Sequence, residues 1–444
     1  MSYARGMSPT IAATHERVDD IPALIVPLKN MRVAALLDKH WQPNGNWQGL
    51  RLGETTVVWL AVILSEGDHR LSRVEPWVTA QRRTLSRCIG RKVTPRDWAD
   101  ERLATPRDSL GVADCWGAFE RARHQSVLRV YDLPGRVGRV DTTPVAASVT
   151  PAGLCQLGHR KDHRPDLPQV TVSMSVLDPL GLPWTTTVVA GQTADDPLSL
   201  PEIANVRQVT QTTGLTYVGD WKMAAMGTRA ASVAPQDYSV GPLSATQMPD
   251  AERDRVRDPV LRDAREPSAI RLPQADGARD EPDAPGAIGC ASPVDRSAPE
   301  QAGPAHTWQA RRLVVRSLAC AASQEQRVRP RGARAVTARA ALDERTHGKA
   351  RWPDAAAADQ AAAAILAKHR VAGLVTVTVT TDVHEHVKRR DGTRPATTVR
   401  RERVRVWAAS EEARRAPTGR RLGWRVSATN HPAEALSLAQ GVAA

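Results

Sequence analysis

Phenylalanine is almost missing from this chain. Phe119 is the single one among 444 residues, only four tyrosines accompany it, and none follows Tyr238. Aromatic packing beyond that point must come from tryptophan, which predicts a thinner core in the second half. Long apolar runs are missing too: the longest, Val57 to Leu64, is far short of the roughly 20 residues that a bilayer-crossing helix needs. No membrane span and no membrane partner are expected. The first 20 residues hold neither the apolar stretch nor the small-residue cleavage site of a secretory signal, so a cytoplasmic protein is expected. Five cysteines (Cys88, Cys115, Cys155, Cys290, Cys320) never reach a CxxC spacing. That argues against a disulfide framework or a thiolate zinc site and for buried free thiols. No GxxxxGK[ST] string occurs, which excludes a phosphate-cradling loop of that kind.

What is present is positive charge: 61 Lys and Arg face 48 Asp and Glu, a formal +13. Such an excess bears on partners rather than on fold. Nucleic acid is the first partner to consider, although a GC-rich coding background yields the same composition. The length suggests about two to four domains.

Hydrophobic periodicity divides the chain. Residues 1–20 read as a flexible N-terminus and 21–130 as a helical domain. Its helices are predicted over Ile21 to Asp38, with Pro27 in the first regular turn, then Leu52 to Ser65, His69 to Cys88 and Val112 to Leu128. Trp59, Trp77 and Trp116 are its candidate core. From 131 to 245 strands and helices alternate. A strand Val137 to Thr142 ends on Asp141, and a hairpin joins Gln169–Leu177 to Trp184–Ala190 through Asp178-Pro179-Leu180-Gly181. A helix over Pro201 to Thr212 precedes the short strand Thr216 to Gly219, which delivers Asp220; a helix Lys222 to Ser232 and a strand Asp237 to Leu243 follow. That order predicts an α/β fold, a mixed sheet layered with helices.

Residues 246–306, rich in proline and alternating charge, are expected to be a disordered or low-complexity insertion. Residues 307–444 read as a basic α+β region. Helices are predicted over Gln309 to Asp343, broken at Pro330 and Gly332, and over Asp354 to Lys368. An antiparallel pair, Leu374–Val387 with Thr397–Trp407, turns at Arg389-Arg390-Asp391-Gly392, and Trp424 to Thr429 is a last strand.

Asp141 and Asp220, presented from strand ends, are the candidate metal-binding carboxylates, because hard divalent cations take oxygen donors. Surface turn acids would look the same in sequence. The polar stretch His159, Lys161, Asp162, His163, Arg164 and Asp166 allows a zinc site, contact with DNA phosphates, or a plain structural loop. Lys222, beside Asp220, is a further candidate phosphate contact. His384 and His386 share one face of a strand. The pairs Arg311-Arg312, Arg389-Arg390, Arg400-Arg401, Arg414-Arg415 and Arg420-Arg421 suit phosphate contact or solvated faces.

Five strings carry a resemblance: HWQPNGNWQGLRLG (40–53), LSEGDHRLSRVEPWV (64–78), GLCQLGHRKDHRPDLPQV (153–170), DPLGLPWTTTVVAGQTADDPLSLP (178–201) and LTYVGDWKMAA (215–225). With them, residues 21–245 resemble the DDE transposases of bacterial insertion sequences, within the IS-four superfamily. Trp221 stands where relatives usually carry a smaller residue. The resemblance implies an RNase H-like core holding Mg²⁺ (or Mn²⁺) on Asp141 and Asp220, and cleavage of double-stranded DNA at element ends followed by strand transfer to a target. It also implies a homodimer when active and a place at the bacterial nucleoid. The family's third acid, a Glu on a helix of the form Tyr, basic, Tyr or Trp, Ile-Glu-Arg after a strand like 423–430, has no counterpart here. Glu434 falls ahead of that place, and Glu411 and Glu412 read as solvated charges. A C-terminally truncated, catalytically defective transposase is therefore expected, the alternative being a non-catalytic DNA-binding remnant that recognises element ends.

Overall fold

Tryptophan and branched aliphatic side chains build the first helices. The computed structural model describes residues 15–43, 45–158, 166–194, 196–271, 285–299, 305–343, 352–371, 376–389, 392, 397–409 and 420–444. They form an α/β fold of two compact units: residues 1–223 with 234–237, and 224–233 with 238–444.

In the first unit, α1 (Ile21–Asn30) and α2 (Val33–His40) replace the single helix expected there, because Arg32 between them takes a left-handed φ of 57°. Pro27 lies inside α1, and Pro22 occupies the first turn instead. Helix α3 (Leu52–Glu66) starts where Glu54 accepts the Arg51 amide at 2.9 Å and stops at Gly67. The predicted helix over 69–88 is divided: a 3₁₀ turn at Leu71–Arg73 leads into α4 (Val74–Ala80), and α5 (Arg82–Ile89) restarts after Gln81. Helix α6 (Asp100–Leu110), which contains Pro106, was not legible in the sequence; α7 (Ala113–Val130) was. Ile21, Ile25, Leu37, Trp41, Val58, Val62, Leu85, Trp98, Leu103 and Phe119 form one core. Trp59 belongs to this core, with Trp77 and Trp116 packed against it as expected, and Trp98 is a fully buried aromatic that the sequence did not single out.

The sheet of this unit has the order β3-β2-β1-β4, from β1 (Val137–Ala146), β2 (Gln169–Leu177), β3 (Leu182–Ala190) and β4 (Thr216–Gly219). Strands β1, β2 and β3 pair antiparallel, while β1 and β4 run parallel. Helix α8 (Ser199–Thr210) lays Ile203 and Val206 into a core with Val140, Leu177, Trp184, Leu215, Tyr217 and Met223. Gly138 is required by packing: a Cβ there would stand 2.5 Å from the Trp184 ring.

The second unit begins with α9 (Met226–Val233), shorter than the predicted helix because 221–225 are turns, and β5 (Tyr238–Pro242). The segment expected to be disordered holds α10 (Asp250–Leu261), β6 (Ser268–Ile270) and β7 (Ala287–Pro299). Its prolines are compatible with a strand. Strand β7 pairs with β6 only through residues 287–289, so Pro293 and Pro299 lie where β6 no longer needs a donor. Residues 309–317, expected to be helical, belong to β8 (Ala305–Ser317); only then does α11 (Leu318–Asp343) run, straight through Pro330. Helix α12 (Ala355–His369), the hairpin β9 (Thr376–Lys388) and β10 (Thr397–Ala409), and β11 (Trp424–Thr429) follow as expected; the short α13 (Leu438–Ala443) comes last. The sheet here reads β5-β11-β8-β7-β6. All five cysteines are free, but only Cys290 is buried.

Candidate active site

Asp141 and Asp220 lie in the same unit, brought together by strand register. Parallel pairing of β1 with β4 ends at Val140 opposite Gly219, and the two aspartates are the next residue on each chain. Asp141 is not the end of its strand. β1 continues to Ala146 against β2, whereas the other chain leaves the sheet in turns after Gly219. Asp141 therefore sits at the first position where β1 has lost its β4 neighbour.

Alternation decides which way Asp141 faces. Gly138 and Val140 are buried, Arg139 and Asp141 exposed, so the carboxylate lies on the solvent side of the strand. Its Oδ1 accepts the Thr142 amide at 2.7 Å. Asp220, half-buried, accepts the Lys222 amide on Oδ1 at 2.9 Å. Among the described residues neither carboxylate forms a salt bridge. The Lys222 ammonium lies 5.7 Å from the ring centre of Trp221, which is exposed. Gly219 allows this turn to approach its own strand, since a Cβ there would meet Met223 Cγ at 2.3 Å. Aspartates at these neighbouring strand positions carry the hard oxygen donors that a divalent cation takes. Among the described residues no three His, Cys, Asp or Glu side chains come together to hold a metal ion, so the pair has no third protein ligand there.

His159, Lys161, His163 and Arg164 lie outside the described residues, as do Arg390, Glu411, Glu412, Arg414 and Arg415. His384 and His386 are exposed on β9, as a solvated strand face would be. Arg311 serves structure: it donates to the carbonyls of His431, Pro432 and Leu436. Arg312 pairs with Glu252, and Arg420 with Asp263 at 2.7 Å. Glu434 is exposed in the turns ahead of α13.

The sequence reading missed a second pair of acids. A cavity of about 760 Å³ between α7, β3 and α8 is lined by Glu120, Arg121, Thr185, Thr187, Asn205 and Gln208, and includes neither Asp141 nor Asp220. Behind it Glu202, 1 % exposed, accepts from the hydroxyls of Thr185 and Thr187. Burial raises the pKa of both acids, that of Glu120 to about 7, with the charge of Glu202 adding to the rise. The only available signal was an acid on the same face of a helix as His124, which is ambiguous without knowing what covers that face.

No protein-family model matches the chain, and no curated protein does. Among solved structures it is similar to a cryo-electron-microscopy structure of a piggyBac transposase synaptic complex with hairpin DNA, at 11% identity and a TM-score of 0.28 over 65% of this chain. The chain spans 57% of the length of that protein. No helix among the described residues is long and apolar enough to cross a membrane.

Proposed function

We propose that this protein is a DDE-type transposase, or a derivative of one, in which Asp141 and Asp220 hold the divalent metal of a DNA phosphoryl-transfer site. The observation that carries the reading is the strand register, which puts each of these two aspartates one residue past the last parallel pair of β1 and β4. The sheet order β3-β2-β1-β4 is compatible with the RNase H-like core that the sequence resemblance implies. A bound Mg²⁺ or Mn²⁺ would supply charge neutralisation at the scissile phosphate and a lowered pKa for a bound water. Asp141 and Asp220 would hold that ion, each through a carboxylate whose Oδ1 already accepts a backbone amide, from Thr142 and Lys222 respectively. Lys222, beside Asp220 in the chain, and His159, Lys161, His163 and Arg164 are the phosphate contacts this reading assigns. Pairing two DNA ends calls for two copies of the chain. With two carboxylates and no assigned third acid, cleavage is expected to be defective.

The second reading is a DNA-binding protein without cleavage, favoured by the absence of a third metal-ligating side chain among the described residues. One experiment separates the two. The purified full chain is titrated with Mn²⁺ and then incubated, with Mg²⁺, with the DNA that flanks its own coding sequence. Mn²⁺ binding weakened at least about tenfold in both Asp141→Asn and Asp220→Asn supports the metal site. Nicking lost in Asp141→Asn establishes catalysis; a mobility shift without nicking establishes the second reading. Mn²⁺ binding indifferent to both substitutions, with no affinity for that DNA, overturns both.

A further inference from the structure

The second unit buries a guanidinium with no carboxylate. Arg229, on α9, is 3 % exposed, and its Nε and Nη2 have no hydrogen-bond partner; its Nη1 reaches only the sulfur of Met226. A buried charge is normally paired, so what surrounds this one is informative. Helix α9 packs on one face of the β7–β8 pair, through Ala230 against Ala298, Trp308 and Ala310. Register puts Arg296 opposite Trp308 and Ser292 opposite Arg312 on that same face, with Val294 opposite Ala310 between them.

Arg229 therefore shares this face with two more arginines. Both Arg296 and Arg312 repel its charge, and burial with that repulsion lowers its pKa to about 10. Glu252 balances one charge, pairing with Arg312. Yet Arg312 Nε is itself buried without a partner, and so is Trp308 Nε1, beneath the Arg229 guanidinium at 5.7 Å from the ring centre. The orphaned groups of Arg229, Arg312 and Trp308 are all donors. Three guanidinium groups against one carboxylate leave an excess of about two positive charges.

We propose that Arg229 and Arg312, with Arg296 at the rim, form a phosphate-binding site in the second unit. Arginine forks match the paired oxygens of phosphate, and a group carrying one or two negative charges balances the local excess better than a second carboxylate. The site stands apart from the Asp141 and Asp220 reading and needs no metal. Its phosphate is either that of a DNA backbone or a free phosphate anion.

The test uses the full chain, melted in chloride and in inorganic phosphate at matched ionic strength, and then titrated with a duplex oligonucleotide over a range of salt. Phosphate is expected to raise the melting temperature by several degrees. Arg229→Met keeps the stem and removes the charge; it should melt no lower in chloride and lose the phosphate shift. Arg296→Gln, at the partly exposed rim, should reduce that shift and fold normally. A salt slope of DNA binding shallower by about one in both variants assigns the site to backbone phosphate; an unchanged slope with a lost phosphate shift assigns it to the free anion. A phosphate shift that survives both substitutions overturns the proposal. So does an Arg229→Met chain that unfolds in chloride while Arg296→Gln leaves the phosphate shift intact.

Discussion

Arg207 and Asp237 form an ion pair, Nε to Oδ2 at 2.9 Å, that ties α8 to the loop of residues 234–237 in the first unit. The Asp237 side chain is fully buried and has further partners. Its Oδ1 accepts the Leu215 amide at 3.0 Å, and its Oδ2 also accepts the Tyr217 hydroxyl at 3.2 Å. One carboxylate thus fixes the start of β4, the strand that delivers Asp220.

Asp237→Ala should cost roughly 3–5 kcal/mol, because it strands the Arg207 guanidinium and the buried Leu215 amide. Urea denaturation would measure this. Asp237→Asn should cost less, since a carboxamide oxygen still accepts the amide.

Glu120 gives stability a pH dependence of known sign. Its folded pKa, raised from 4.5 to about 7, means that the folded state holds a proton the unfolded chain releases. Its neutral form leaves the fold unpenalised below the unfolded value, and stability falls as pH rises from 4.5 through about 7. Glu120→Gln should match the parent at pH 4 and exceed it by about 2 kcal/mol at pH 8. Chemical denaturation at the two pH values is the check.

His124 acts in the opposite sense. Burial lowers its pKa from 6.5 to about 3, and its ring sits edge-on to Trp184 with both nitrogens unpaired. Neutral imidazole is the folded form, so stability is lost as pH falls below about 6.5 toward 3. His124→Leu gives up no hydrogen bond and should flatten the acid limb of the melting profile.

Gly138→Ala should destabilise the first unit by about 1–3 kcal/mol, since the new methyl group drives into the fully buried Trp184. Tryptophan fluorescence should shift with the loss, as Trp184 leaves its slot.

In the second unit, Asn430 Oδ1 accepts both the amide of Ser239 at 2.8 Å and its hydroxyl at 3.3 Å. Asn430→Ala should cost about 1–2 kcal/mol and speed hydrogen exchange of the Ser239 amide.

Much of the architecture was legible because alternation and turn residues are local. Thr216 to Gly219 reads as a strand from four residues and is one. The hairpin around Asp178 to Gly181 and the β9–β10 pair followed from the same signals. Failures came where a local signal was overruled. Arg32 breaks a periodic helix through its φ, and Pro330 sits inside one that continues. Residues 287–299 form a strand despite their prolines, because β8 supplies the pairing they need. Of the candidate site, the two aspartates could be named, while 159–165 lie outside the described residues and Glu120, Glu202 and Arg229 carried no distinguishing pattern.

The chain by itself determined element types, an excess of positive charge, and the identity of two carboxylates at strand positions, since each depends on residues near in sequence. Only the tertiary structure decided that Asp141 and Asp220 each follow the last parallel pair of β1 and β4, that burial raises the Glu120 pKa to about 7, and that Arg229 lies buried near like charges. Register, desolvation and charge proximity join residues distant along the chain, and no local pattern records them.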